Sequence, residues 1–573
     1  MDFQIVEGTL LSTSVSTPVQ VAPTTKRASH EAFLRANSRA YEWLVEKAQR
    51  IDWRKNADTV LYSVALAAQF AAKFHPGRFA DGAIDNLALK IGAQLSDLPA
   101  DAVGFVLPVD QTGARRRVLH VASRFLEIGG HTRMLHHWVR NDQSSSHSLV
   151  LVDQGDDPIP KWMFEAVRSS GGNLQVLPQG SGLCQKAQWL REIARRNADL
   201  VVLHHNASDV VPTVAFAVTD CPPVALLNHA DHVFWLGSTV ADLVINLRTA
   251  GSVHTAMRRF VSTNTVLPIP LADHQGRVSR QDARQALGVP EEHVVLLSVG
   301  RPEKYQPRGP YDFVETAWKI LDRQPTTHLY VVGVSEQGIA PYLRCAVHER
   351  LHLVGSMEDP SLYRAAADIY LESFPFGSNT ALLEAALSGL PVIPAYAPLF
   401  PLLVADNDAV RDLLPNPENE LEYVERVELL IQQPKQRVEL GAKLRKRLLV
   451  DHVGEGWLHH LDALYQQTDC LTHSPRPIPS SPCSTKNADV SLSQWNVMAD
   501  GKTNFVVTSR DAIAAVLRHD AFLARYVGDY AMARRYAWRA ILSNPYRWVS
   551  WRLLVVTVLG RAGRSIRRLL RPA

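Results

Sequence analysis

Four short segments hold residues whose types and spacing could do chemistry. The densest is Leu371–Pro394, reading L-E-S-F-P-F-G-S-N-T-A-L-L-E-A-A-L-S-G-L-P-V-I-P. A β-rich run enters a Pro/Gly turn, an apolar-periodic helix follows, and Gly389-Leu390-Pro391 leads into another short strand. Asn379 or Thr380 falls where an N-cap is expected. With Gly377 and Ser378 it would offer unpaired backbone N–H groups to an anion such as a phosphate. Glu384 comes about one helical turn later and has two oxygens for vicinal hydroxyls. One loop could therefore hold a diphosphate while one carboxylate holds a ribose. The plainer alternative is a βαβ turn with a capped helix and a surface glutamate.

The second segment, L-L-N-H-A-D-H-V-F-W-L-G (Leu226 to Gly237), places His229, Asp231 and His232 directly after a strand. A histidine oriented by an aspartate could position or deprotonate an acceptor hydroxyl. The same residues lack a third carboxylate or cysteine at the usual metal-ligand spacing. Capping and core hydrogen bonds are the bland alternative. The third segment, S-V-G-R-P-E-K-Y (Ser298 to Tyr305), puts Arg301 and Lys304 at a strand end. Two fixed cations could neutralise charge on a departing diphosphate without a metal; otherwise this is a basic surface turn. The fourth is the pair Gly129-Gly130, which lets backbone approach a ligand at a helix N-terminus, though many βα turns carry such a pair.

The elements that must position these turns come from periodicity. From Arg117 onward, short β-branched runs alternate with amphipathic helices. Strands are expected at Val118–Ala122, Ser148–Val152, Leu174–Leu177, Leu200–Leu203, Val224–Leu227 and Leu243–Asn246. A second set follows at Val294–Val299, His328–Val332, Leu351–Val354, Ile369–Leu371 and Val392–Ile393. That rhythm predicts an α/β fold with parallel sheets covered on both faces, in two Rossmann-like domains facing a cleft. The expected organisation is a flexible tail over 1–28, a helical extension over 29–112, and Rossmann-like domains over 113–272 and 273–468. A Pro/Ser-rich linker over 469–500 and a helical end over 501–573 complete it. Within that end, Gly528 to Pro545 resembles one tetratricopeptide-type repeat, which cannot bury its face alone. The arginine-rich close of the sequence could lie on an anionic membrane.

Composition narrows the class. A chain of 573 residues needs two or three domains. A net charge of +4 is too small for wholesale nucleic-acid binding. Five scattered cysteines without a C-x-x-C pair suit a reducing compartment. The first residues lack a basic start and an apolar core, so no secretory signal is read there. The expected location is cytoplasmic, with peripheral contact at the inner face of the membrane through the arginine-rich end.

Together these segments resemble the GT-B glycosyltransferases, the broad bacterial group using nucleotide-sugar donors, over roughly Arg117 to Gln466. R-Q-A-L-G-V-P-E-E-H-V-V-L-L-S-V-G-R and A-L-L-E-A-A-L-S-G-L-P-V-I carry the resemblance most specifically. It implies that Gly129 and Gly130 face the donor, Arg301 and Lys304 bind its diphosphate, and Glu384 holds its ribose. It also implies a nucleoside-diphosphate sugar as co-substrate, no resident cofactor, and a glycan, lipid-linked glycan or protein as acceptor. His229 to His232 falls where such enzymes present acceptor-side groups. Phe374 stands where the common group has a glutamate before P-F-G, and the interval from Pro375 to Glu384 is longer. Both features resemble O-linked N-acetylglucosamine transferases and bacterial cytoplasmic protein N-glycosyltransferases. A sugar-nucleotide epimerase of the same fold and a non-catalytic scaffold are the two alternatives from other classes.

Overall fold

A computed structural model describes residues 24–98, 115–125, 130–155, 158–273, 278–307, 310–339, 343, 345–357, 359–396, 408–498, 509–526 and 530–558. The first sheet comprises β1 (Arg116–Ala122), β2 (Ser145–Leu151), β3 (Leu174–Val176), β4 (Leu200–His204), β5 (Val224–Asn228), β6 (Leu243–Asn246) and β7 (Asn264–Val266). The second holds β8 (Val294–Val299), β9 (Thr327–Val332), β10 (Leu351–Gly355), β11 (Ile369–Leu371) and β12 (Val392–Ile393). Their orders are β3-β2-β1-β4-β5-β6-β7 and β10-β9-β8-β11-β12, with every pairing parallel. Each order reverses direction beside its first strand, between β1 and β4 and between β8 and β11. Such switch points are where open α/β sheets bind ligands, at the carboxyl ends of their strands.

Side-chain alternation explains why both sheets are covered twice. Leu119 and Val121 of β1 share a core with Val201, Leu203, Val224 and the helical extension. Val118, one residue out of phase, packs with Val202, Ala225, Trp138 and Trp457 on the opposite face. Phase divides the second sheet likewise, Leu296 and Leu329 to one side, Leu297 and Tyr330 to the other. The strand β7 was not anticipated; its three half-buried residues, Asn-Thr-Val, carry too little apolar signal.

Three differences from the expected organisation have physical reasons. The helix Gly454–Asp469 closes the expected second domain in sequence, yet buries Trp457, Leu461, Leu464 and Tyr465 against the first sheet. The Pro/Ser-rich stretch is not a loose linker over its described part. His473 Nδ1 meets Asp242 at 2.7 Å, Ile478 N–H donates to Asn86, Ser481 N–H to Asp81, and Ser484 N–H to the Gly77 carbonyl. Backbone donors freed by irregular structure thus find partners on the first domain and the helical extension. Third, helices at both ends of the sequence form one body. Thr24–Arg50 and Ala57–Phe74 pack with Asn487–Met498 and Ser509–Tyr526, on which Tyr530–Ser543 packs in turn; Gln69 donates to Asp520 at 2.6 Å. Ala533, Ala537 and Ala540, the small residues of the repeat-like segment, are buried. The tail over 1–23 and the arginine-rich close over 559–573 lie outside the described residues. No described helix is long and apolar enough to cross a membrane.

Candidate active site

The cleft is built from four turns at strand ends. After β8 the chain passes Gly300 and Arg301 into a short 3-10 turn, Pro302–Lys304. A Cβ on Gly300 would stand 2.9 Å from Ser378 Oγ and 3.1 Å from the Tyr305 ring, so only glycine lets this turn lie against the turn after β11. Lys304 Nζ donates to the Gly377 carbonyl at 2.7 Å and lies 5.4 Å from the Phe376 ring centroid. Arg301 remains exposed.

After β11 the loop is organised from inside by a carboxyl that the sequence reading did not place in the site. Glu372 is fully buried; its Oε1 accepts from Ser378 N–H and from Ser373 Oγ. Its Oε2 is buried with no hydrogen-bond partner. Burial pushes its pKa up to about 7 against the backbone hydrogen bond of Ser378 and the charge of Lys304. The helix then runs Asn379–Leu387, capped by Ser378 without a side-chain hydrogen bond. The cap is thus one residue earlier than expected, and its own N–H is taken by Glu372. The first-turn N–H groups still lack partners within the helix. Glu384 Oε2 accepts from Arg364 at 2.9 Å, and its Oε1 lies 3.9 Å from Arg133 of the first domain.

The first domain contributes the turn after β1 and the loop after β5. Gly129 lies outside the described residues. Gly130 opens the helix Gly130–Asn141 and faces the other lobe: a Cβ there would sit 3.7 Å from Thr380 Oγ1. The next residue, His131, is exposed to the cleft and stacks on His229 with ring centroids 3.9 Å apart. Crowding by the cleft walls, then the Arg301 charge, lowers its pKa, although the ring still meets water. Nothing in the spacing marked His131; its meaning appears only when the two lobes face each other.

The loop after β5 is fixed by buried Arg259, which donates to the carbonyls of Phe79, Asp231 and Val233. Burial lowers that guanidinium's pKa to about 9. Asp231 accepts from Arg248 at 2.7 and 3.0 Å and lies 3.8 Å from His232 Nδ1. Burial would raise the Asp231 pKa, but His232 and Arg248 outweigh it and hold the carboxylate ionised far below its usual range. Asp231 is thereby suited to orient a neighbour and unsuited to accept a proton. His232 lies with its ring centroid 5.2 Å from that of Phe376, across the cleft on the turn after β11. His229 is partly buried and points inward, its Nε2 3.2 Å from His204 Nδ1. Among the described residues no three His, Cys, Asp or Glu side chains are gathered as metal ligands.

Residues 293–433 match the family described as "Glycosyl transferases group 1". A D-inositol 3-phosphate glycosyltransferase from Corynebacterium aurimucosum is 28% identical over 171 residues, 28% of this chain and 40% of that protein. The match thus spans two fifths of that relative's length. HepE from Anabaena, solved in complex with UDP, is 16% identical over 62% of this chain and 100% of its own, with a TM-score of 0.49. A mutant O-GlcNAc transferase from Thermobaculum terrenum is 16% identical over 76% of this chain and 82% of its own, with a TM-score of 0.43.

Proposed function

We propose that this chain, whose residues 293–433 carry a group 1 glycosyltransferase domain, moves a sugar from a nucleoside-diphosphate sugar to an acceptor hydroxyl. What supports the reading is a set of contacts: Lys304 reaches the Gly377 carbonyl, Gly130 of the first lobe faces Thr380, Arg133 approaches Glu384, and the Arg301 charge acts on His131. The bond from the sugar's anomeric carbon to the diphosphate breaks as the acceptor oxygen bonds to that carbon. Arg301, Lys304 and the amide dipoles of Asn379 and Thr380, the Ser378 N–H being taken by Glu372, stabilise the departing diphosphate, so no metal is required for that charge. Glu384 anchors the ribose. His232, oriented by Asp231, takes the acceptor's proton, and His229 supports the acceptor side. Enclosure between the lobes excludes water and favours transfer over hydrolysis. The acceptor is a polysaccharide or glycolipid intermediate or a protein, reached in the cytoplasm with the arginine-rich end touching a membrane surface.

The test is incubation of the full chain with a panel of radiolabelled nucleotide sugars and candidate acceptors. Release of nucleoside diphosphate with label moved to the acceptor is expected. An altered sugar still attached to nucleotide would make the protein an epimerase. Neither turnover nor nucleotide binding would make it a scaffold.

A further inference from the structure

Beneath the first-domain side of the cleft lies a file of four imidazoles, of which the transfer reading uses only His229. His229 Nε2 is 3.2 Å from His204 Nδ1, His204 Nε2 is 3.0 Å from His120 Nδ1, and His120 Nε2 is 3.0 Å from His147 Nδ1. His147 Nε2 in turn lies 3.2 Å from Asp142 Oδ2, off the line of an ideal hydrogen bond. His120, His147, His204 and Asp142 are buried. The geometry follows from register. His147 pairs with Val118, Val202 pairs with His120, and Leu226 pairs with Leu203. Each histidine therefore stands two residues nearer the carboxyl end than the one on the preceding strand. A step of two keeps all four on one face, so the file climbs diagonally across β2, β1, β4 and the end of β5.

Such a file has only two uniform polarities, since a neutral imidazole has one N–H and one bare nitrogen. Asp142 selects between them. Its Oδ1 accepts from Ser144 N–H, Ser144 Oγ and Ser145 N–H, and its Oδ2 from Tyr465 Oη at 2.7 Å; burial would raise its pKa, but His147 first, then Tyr465 and Ser144, hold it ionised far below the usual carboxylate range. A bare Nε2 on His147 facing that oxygen is electrostatically excluded, so Nε2 carries the proton. With one N–H on each ring, His147 Nδ1 is then an acceptor, His120 must donate from Nε2, and the same follows for His204 and His229. Burial disfavours the charged form of His120, His204 and His229, consistent with one N–H each. The last nitrogen, His229 Nδ1, is left bare; it is buried with no hydrogen-bond partner, directly under the His131 ring.

We propose that Asp142 is a remote positioning residue for the cleft, fixing through His147, His120 and His204 the tautomer of His229. The aligned imidazole dipoles turn their lone-pair end toward the cleft. Positive charge is favoured there, which is what an acceptor hydroxyl delivers when it gives its proton to an imidazole of the cleft. This last consequence rests on the transfer reading above; the tautomers themselves do not.

Full-length protein labelled with 15N-histidine separates the two. Long-range 15N–1H correlation of the imidazoles, assigned by single His→Gln variants, should show all four neutral and protonated at Nε2. Asp142→Asn keeps the acceptor for Ser144 and Ser145 but places an amide donor toward His147. It should shift all four protons to Nδ1 and lower kcat by about 100-fold or more, with donor KM within about twofold. Tyr465→Phe removes a donor to Asp142 without reversing polarity and should leave the tautomers unchanged. Nδ1 protonation in the wild type, or an Asp142→Asn protein whose tautomers or kcat match the wild type, would overturn the proposal. Expected tautomers in a protein that transfers no sugar would support the fixed file and sink the transferase reading instead.

Discussion

Lys304 donates from Nζ to the carbonyl oxygen of Gly377 at 2.7 Å, joining the cation that follows β8 to the turn that follows β11. Lys304→Met keeps the aliphatic stem and removes the charge. A charge-assisted hydrogen bond is worth about 1.5–3 kcal/mol, so nucleoside diphosphate Kd should rise about 10- to 100-fold. Calorimetric titration checks this; an unchanged Kd would separate Lys304 from the diphosphate.

Glu384 sits between Arg364 and, across the cleft, Arg133. Glu384→Ala should weaken donor binding by about tenfold or more, because the ribose loses its acceptor and the buried Arg364 loses the nearer of two carboxylate partners. Glu384→Gln retains one acceptor oxygen and should fall between. Donor affinity equal to the wild type in the alanine variant would remove the ribose assignment.

His232→Ala should lower kcat by about 100- to 10,000-fold while leaving donor Kd within a few-fold, since its ring meets the turn after β11 at the Phe376 ring. Wild-type turnover would return the loop after β5 to a structural role.

Glu372 titrates near 7 in the fold against 4.5 ordinarily. Between those values the folded chain holds a proton that the unfolded chain has released. Stability therefore falls as pH rises through that interval, by about 3 kcal/mol, and the loss is complete above it. Glu372→Gln keeps an acceptor for Ser378 N–H and cannot ionise. Its thermal midpoint relative to wild type should climb between pH 5 and pH 8; a constant difference would show that Glu372 does not titrate in that window.

Much of the architecture was legible because buried parallel strands are short, β-branched and evenly spaced; eleven of the twelve lie where the alternation put them. The turns at Gly130, Arg301 and Gly377 were legible as strand-end features; the order of the second sheet makes the last two neighbours, and Gly130 faces Thr380 only across the two lobes. Three site features were not legible. Glu372 reads as the residue that follows a strand, and only its burial beneath Ser378 shows that it shapes the loop. His131 needs the second lobe to give it Arg301 as a neighbour. The histidine file needs strand order: His120, His147 and His204 look unrelated until β2, β1 and β4 become neighbours in register. The Pro/Ser stretch misled for the opposite reason, since composition reports missing secondary structure and is silent on tertiary hydrogen bonds.

The shared helical body carries a cost in time. Leu61, Val64 and Phe70 belong to the same core as Ile513, Leu517 and Ala540. During synthesis the earlier helices must wait for more than four hundred further residues before their partners emerge from the ribosome. Until then that apolar surface stays uncovered, and a nascent chain stalled after the second sheet is the form of this protein a chaperone would meet.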